Sequence, residues 1–182
     1  VFLNNSNFNN NKNFLKLIIL LFFLILFDAF IQFYFGKNLL GFEITNNRIT
    51  GIFKDEAILG SFVIRFLPIL LWLMVVVDID FEKNRYFLSL LLFSSFLIIF
   101  ISAGRNAFFL TIIFNIILLI FLPYFRKTIL ISLLFFLISI ISIHFFNLGQ
   151  TKPTNRVFVK TFNQITDHKF HDKKYKIQRD KD

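Results

Sequence analysis

The sequence predicts an all-α protein, a polytopic bundle of about five membrane-spanning helices. Hydrophobic residues make up 56% of the 182-residue chain, and 30 residues are Phe, which is more apolar surface than a soluble domain of this size can bury. This surface is concentrated in long apolar runs, whereas charged residues fall mostly between the runs and toward the chain ends. A bilayer replaces the missing protein core, and a helix within it satisfies its own backbone hydrogen bonds.

Each apolar run can cross the hydrocarbon core, since about 20 residues at a rise of 1.5 Å span roughly 30 Å. The predicted membrane domain covers residues 14–146, with spans at 14–35, 57–77, 86–102, 107–124 and 128–146. A polar flank at 1–13 precedes it, and residues 147–182 are predicted to begin a periplasmic loop. Because the chain begins with Val1 and stops in a charged stretch, we expect a truncated fragment of a longer protein.

Lys and Arg residues in the short connections predict the orientation, because cytoplasmic loops carry an excess of both. Basic residues occur in the N-terminal flank, in residues 80–85 and at Arg126-Lys127, which all fall on the predicted cytoplasmic side. The 36–56 loop, the connection between the third and fourth spans, and the tail then face the periplasm. We therefore expect a multi-pass protein of the bacterial inner membrane.

The net charge limits the kinds of ligand that the chain is expected to bind, and the lack of cysteine limits the kinds of site that it can form. A formal net charge of +9 can attract nucleic acid, anionic lipid or an anionic substrate, and the membrane context favours the last two. We expect no nucleic-acid partner. The chain contains no Cys, which excludes disulfides and thiolate metal sites within these residues. His168 and His171 lie among lysines, and a solvated tail explains them better than a metal site.

Polar side chains inside the predicted spans need a reason, because charges in hydrocarbon are costly. Asp28, Gln32 and Gly36 recur at intervals of four residues, so they share one face of the first helix. That face must point into the bundle, either as a hydrogen bond between packed helices or as part of a polar site near the outer surface. Arg65 lies about two turns into the second span, close to Pro68, and it either reaches the interface or binds an anion.

The 36–56 loop is longer than a simple connector requires. Arg48 offers a planar fork suited to phosphate, and Gly51 lets the backbone turn sharply behind it. Asp55 and Glu56 stand at the expected start of the second helix, where the helix dipole favours negative charge. Capping is therefore the plainer role for this acidic pair.

Four arginines map to the predicted periplasmic side, although each alone could be an interfacial anchor. Arg105 follows Gly104, which we expect to supply the turn between the third and fourth spans. Arg156 lies in the tail, on a helix predicted to rest on the membrane surface. Together with Arg48 and Arg65 they predict a site for a lipid-linked diphosphate, held by several charge-assisted hydrogen bonds.

Three stretches resemble the O-antigen ligase and O-antigen polymerase superfamily of bacterial envelope glycosyltransferases. The first is residues 28–41, a span that ends in an outward polar loop. The second, Arg48-Ile-Thr-Gly-Ile-Phe53, is similar to the Arg-x-x-Gly-x-Phe element of that family. The third, Ser102-Ala-Gly-Arg-Asn-Ala107, resembles its Ser-Arg-Gly-Ala hairpin, but Ala-Gly is inserted before the Arg and Asn replaces the usual Gly. Residues 156–165 are similar to the start of the large periplasmic loop of the family.

The resemblance implies an enzyme of surface polysaccharide or lipopolysaccharide biosynthesis that needs no metal, nucleotide or other cofactor. It implies transfer of a glycan from undecaprenyl diphosphate to a lipid A-core or growing glycan acceptor at the periplasmic face. The implied diphosphate ligands are Arg48 and Arg105, then Arg65 and Arg156, with polar support from Asp28, Gln32 and Glu56. The catalytic residues are expected beyond Asp182, so the fragment is expected to be inactive alone.

Two other classes of protein stay open. In a transporter or flippase of envelope precursors, Asp28 and Arg65 would line a path, and helices interrupted at matching positions would be typical. In an envelope scaffold, every arginine would be an interfacial anchor. The sequence does not distinguish ligase from polymerase, and it names neither the sugar nor the acceptor.

Overall fold

A computed structural model describes residues 5–45, 48–54, 56–77, 79–80, 83–122 and 125–146, together with 157 and 162. Within this part the chain forms helices α1 (Asn5–Phe35), α2 (Leu59–Val76), α3 (Arg85–Ile101), α4 (Arg105–Phe121) and α5 (Arg126–Phe145). A 3₁₀ turn at Gly51–Phe53 interrupts the connection between α1 and α2. The all-α fold class is confirmed, and each described helix overlaps one predicted span.

The largest difference from the predicted bounds is at the start of α1, which begins at Asn5 rather than at residue 14. The polar flank contains neither Gly nor Pro, the residues that interrupt helices most strongly. The helix therefore runs through the polar flank before its apolar part begins.

Three of the described helices are long and apolar enough to cross a membrane. They are Lys12–Phe35 within α1, Leu59–Val76, and Arg126–Ile143 within α5. Helices α3 and α4 have 17 residues each, which at 1.5 Å per residue gives about 26 Å, slightly less than a typical hydrocarbon core. The predicted five-span bundle is thus confirmed in part, and the three longer helices indicate a membrane protein.

Helix α3 is the centre of the bundle and packs against α1, α2, α4 and α5. Its residues from Ser95 to Ile101 are all buried, although an isolated helix normally buries only one face. By contrast, α1 and α5 leave apolar side chains such as Leu24, Phe27, Leu134 and Ile141 exposed. Exposed rows of this kind are costly in water and suit contact with lipid chains.

The turn between α3 and α4 differs from the prediction that Gly104 supplies it, because its left-handed residue is Ala103. Ala103 adopts the left-handed conformation, with φ of 54°, whereas Gly104 has φ of −84° and ψ of 98°. That prediction is wrong because the left-handed residue commonly comes directly after the helix cap, and Ser102 caps α3. Gly104 instead stands in extended conformation at the N-terminal boundary of α4.

The start of α2 packs on this turn. A Cβ atom at Gly60 would collide with Ser102 Oγ and would come within 3.3 Å of Ala107 Cβ. The α1–α2 loop, the α3–α4 turn and the starts of α2 and α4 therefore lie together, and we call this the loop end of the bundle. At the opposite end, Ser89 Oγ near the start of α3 donates to Thr128 O near the start of α5, at 3.4 Å.

Candidate functional site

Asp28 and Gln32 lie near the loop end of α1 and are almost fully buried, with 3% and 0% of their surface exposed. The prediction that their face points into the protein is confirmed. Their hydrogen-bond partners in the described part of the chain belong to the loop that follows α1, not to a neighbouring helix. Of the two interpretations of this stripe, the hydrogen bond between packed helices is therefore not the one observed. Both side chains hold the loop against the bundle.

Gln32 connects the two halves of the loop. Its Oε1 accepts hydrogen bonds from the backbone N–H of Thr50 at 2.9 Å and of Gly51 at 2.7 Å. Its Nε2 donates to the carbonyl oxygens of Phe42 at 3.2 Å and Glu43 at 3.3 Å, and to Thr50 Oγ1 at 3.4 Å. A single buried amide thus satisfies backbone groups that burial would otherwise leave unpaired.

Asp28 binds the first half of the loop through Asn38. Asp28 Oδ1 accepts from Leu39 N at 2.9 Å, and Oδ2 accepts from Asn38 Nδ2 at 3.1 Å. Asn38 Nδ2 also donates to Gly51 O at 2.9 Å, and its Oδ1 accepts from Phe42 N at 2.7 Å. Sequence reasoning missed Asn38, although an Asn before a turn that ends in Gly commonly bonds backbone groups just after it.

Gly51 lies against α1, and its backbone N–H bonds Gln32 of that helix. Its φ of 55° is left-handed, so the prediction of a sharp turn there is confirmed. A Cβ atom at this position would lie 3.4 Å from Asp28 Oδ2 and 3.8 Å from Ala29 Cβ. These are ordinary van der Waals distances, so glycine is favoured here by the backbone conformation.

An aromatic series continues from this turn into the bundle. The ring of Phe53 contacts Phe62 of α2 at a centroid distance of 5.3 Å, and Phe62 stacks on Phe66 at 5.5 Å. Phe66 in turn stacks on Phe22 of α1 at 5.4 Å. Offset ring pairs of this kind add to burial, and here they join the loop to both α1 and α2.

Arg48 lies two residues before Thr50, the first of the two loop residues whose backbone N–H groups donate to Gln32. Its backbone N–H donates to Thr45 O at 2.9 Å, and the next two residues, Ile49 and Thr50, are buried. The side chain is partly exposed, yet its Nε is buried and has no hydrogen-bond acceptor within the described residues. A guanidinium in this state retains donors that a carboxylate or phosphate can accept.

The two other described arginines of the predicted site, Arg105 and Arg65, lie in different surroundings. Arg105 is the first residue of α4 and is partly buried beside the α3–α4 turn, so it shares the loop end with Arg48. Arg65 is exposed and lies on the outward face of α2, together with the exposed Ile69 and Trp72. That face suits a side chain that reaches the membrane interface. The structure thus brings Arg48 and Arg105 to one end and turns Arg65 away from the interior.

Glu56 is exposed and precedes α2 without belonging to it. The helix begins at Leu59, no side chain caps its N-terminus, and its first turn contains no acidic residue. The capping role expected for Glu56 is therefore not observed, because the chain makes a further turn, with Ile58 N donating to Glu56 O at 2.9 Å. Asp55, Arg156, His168 and His171 lie outside the described residues, as does the predicted surface helix around Arg156 apart from residues 157 and 162.

The chain matches no protein-family model, no curated protein and no solved structure. The fold and the site therefore define only a broad structural class. Within the described residues the chain is all-α and has three helices of membrane-spanning length, and two buried side chains of α1 hold the polar loop that follows this helix against the bundle.

Proposed function

We propose that this chain is part of a multi-pass protein of the bacterial inner membrane that resembles O-antigen ligases and polymerases. In this proposal it binds the diphosphate of an undecaprenyl-diphosphate-linked glycan at its periplasmic loop end. The complete protein transfers that glycan to a lipid A-core or growing glycan acceptor. The observation that carries the proposal is the partly exposed Arg48 side chain, whose Nε has no acceptor among the described residues.

The way the loop is held supports a binding role. The backbone N–H groups of Thr50 and Gly51 donate to Gln32 Oε1, which holds the backbone two and three residues after Arg48. A cationic group on a held backbone loses little conformational freedom when it binds an anion, so more of the interaction energy appears as affinity. Arg105, at the same end, offers a second guanidinium for a ligand that carries two phosphates.

The proposal also includes five membrane spans. Helices α3 and α4 are short, but α3 packs against the other four helices, and its second half, from Ser95 to Ile101, is buried by protein alone. The short connections at 102–104 and 122–125 make α4 antiparallel to α3 and to α5. With Lys12, Lys16, Arg126 and Lys127 in the cytoplasm, the loop end faces the periplasm.

Binding of undecaprenyl diphosphate to the purified chain in nanodiscs tests the proposal. Arg48→Ala should weaken binding by roughly 10- to 150-fold, since charge-assisted hydrogen bonds contribute roughly 1.5–3 kcal/mol. Arg48→Lys should recover only part of the affinity, because the ammonium lacks the planar fork. Lys37→Ala is the matched control, since Lys37 is an exposed cation of the same loop whose Nζ lies 2.9 Å from Glu43 Oε1. Equal affinity of the Arg48→Ala and Lys37→Ala variants would contradict the proposal.

The transporter alternative receives no comparable support. Helix α2 runs without interruption through Pro68, and the described helices α1 and α5 are continuous as well. Transporters often build their sites from interrupted helices near the middle of the membrane. We therefore favour the transferase hypothesis over the transporter hypothesis.

A further inference from the structure

A cavity of about 700 Å³ lies at the opposite end of the bundle, between α1, the end of α2 and the start of α3. Its volume falls within the range of roughly 300–1,000 Å³ that small-molecule sites occupy. Leu15, Met74 and Val77 are buried and form part of its apolar wall. Its polar lining residues are all exposed: Lys12, Lys16, Asp80 and Asn84.

We propose that this cavity holds an acyl chain of an anionic membrane phospholipid whose phosphate binds Lys16, with Lys12 one turn away. The inference concerns a different site from the diphosphate site. It shares with the proposed function only the embedding of the chain in a membrane.

The lining has the polarity gradient of a phospholipid. Lys12 and Lys16 are four residues apart on α1, and Ile19 and Phe23 continue the same face toward the middle of the helix. From Lys16 to Phe23 the helix rises about 10 Å, all of it along apolar lining. Phe23 contacts Phe87 of α3 at a ring-centroid distance of 5.8 Å, which closes one side of the cavity. The charged groups thus stand at the outer part and the apolar groups lead inward.

The charge at the cavity favours an anionic headgroup. Asp80 is the acidic member of the described lining, and it is engaged by Lys83, whose Nζ lies 3.5 Å from Oδ2 and whose backbone N–H donates to Oδ1 at 3.2 Å. Lys16 is exposed and has no ion-pair partner among the described residues. Basic pockets between helices on the cytoplasmic side of membrane proteins suit anionic lipid headgroups, and each lysine near the surface contributes about fivefold in affinity.

Fluorescence quenching by lipids with brominated chains provides the test. The chain contains one Trp, Trp72, which is 62% exposed on the outward face of α2 and reports the lipid around the protein. A Trp72→Phe/Phe23→Trp variant moves the reporter into the cavity. Both proteins are reconstituted in vesicles, and quenching by brominated phosphatidylglycerol is compared with quenching by brominated phosphatidylcholine.

We expect the reporter at position 23 to be quenched with about fivefold preference for phosphatidylglycerol, and Trp72 to show no preference. Adding Lys16→Gln should remove most of the preference, whereas Lys127→Gln, an exposed lysine at the same end but outside the cavity, should leave it unchanged. Equal quenching by the two lipids at position 23, or a preference that survives Lys12→Gln/Lys16→Gln, would overturn the lipid site. Absence of quenching at Trp72 by either lipid would contradict membrane embedding and the lipid site with it. Binding of undecaprenyl diphosphate at the loop end is measured separately.

Discussion

Gln32 Oε1 accepts a hydrogen bond of 2.7 Å from the backbone N–H of Gly51, across 19 positions of sequence. This contact joins the second half of the α1–α2 loop to the helix before it. The same Oε1 also accepts from the backbone N–H of Thr50, so Gln32 fixes the backbone two residues after Arg48 and thereby helps to position the Arg48 side chain. The organisation of the candidate site therefore depends on a side chain that is itself fully buried.

Replacing Gln32 with Leu should loosen the loop. The substitution keeps approximately the same volume but leaves the N–H groups of Thr50 and Gly51 buried without acceptors. We expect unfolding in detergent to become easier by roughly 2–4 kcal/mol, with faster amide exchange in residues 48–51. Asn115→Leu is the control, because that buried amide bonds only its own helix, through Thr111 O, in the described part of the chain. Similar effects of the two substitutions would contradict the anchoring role of Gln32.

Gly51→Ala should be clearly destabilising, whereas Gly104→Ala should be tolerated. At Gly51 the left-handed φ of 55° costs a residue with a Cβ about 1–2 kcal/mol. At Gly104 the φ of −84° is ordinary, and the nearest atoms to a new Cβ lie 3.6 Å away. Thermal unfolding of both variants measures the difference. An equal cost at the two positions would contradict the observed turn geometry.

The contact between α2 and the α3–α4 turn can be tested by a suppressor. Gly60→Ala should destabilise by about 1–3 kcal/mol, because its Cβ would collide with Ser102 Oγ. Adding Ser102→Ala removes that oxygen and should restore part of the stability, while Ser102→Ala alone should have a smaller effect. A double-mutant cycle on unfolding free energies measures the coupling. Additive effects would show that the two positions do not touch.

Under the proposed function, substitutions of Arg48, Arg105 and Arg65 should differ in their effect on the amount of surface glycan in cells that carry the complete protein. We expect Arg48→Ala and Arg105→Ala to abolish surface glycan, with membrane insertion unchanged. Arg65→Lys should keep normal glycan, because Arg65 lies on the exposed face of α2, where a lysine reaches the interface equally well. Surface glycan is measured on polysaccharide gels and insertion by membrane fractionation. Normal glycan in both alanine variants would refute the proposed transferase.

Most of the helical architecture could be predicted from local pattern. Long apolar runs predicted the approximate positions of all five described helices, since helix formation follows from the residues within each segment. The four-residue spacing of Asp28 and Gln32 predicted a shared inward face, because helical periodicity is a local property. The left-handed turn at Gly51 was likewise foreseeable from a glycine within a polar loop.

The partners of those residues could not be predicted in the same way. The bonds of Gln32 to Gly51 and of Asn38 to Asp28 join positions far apart in sequence, so they depend on how the loop folds back. The left-handed residue is Ala103 and not Gly104, because the end of α3 selects the position and the packed turn accepts an alanine there. The spacing of residues along the helices also did not determine that Arg65 faces outward or that α3 packs against all four other helices. Composition and spacing specify which segments are helical and apolar, but contacts between distant segments determine which polar groups meet and which stay without partners.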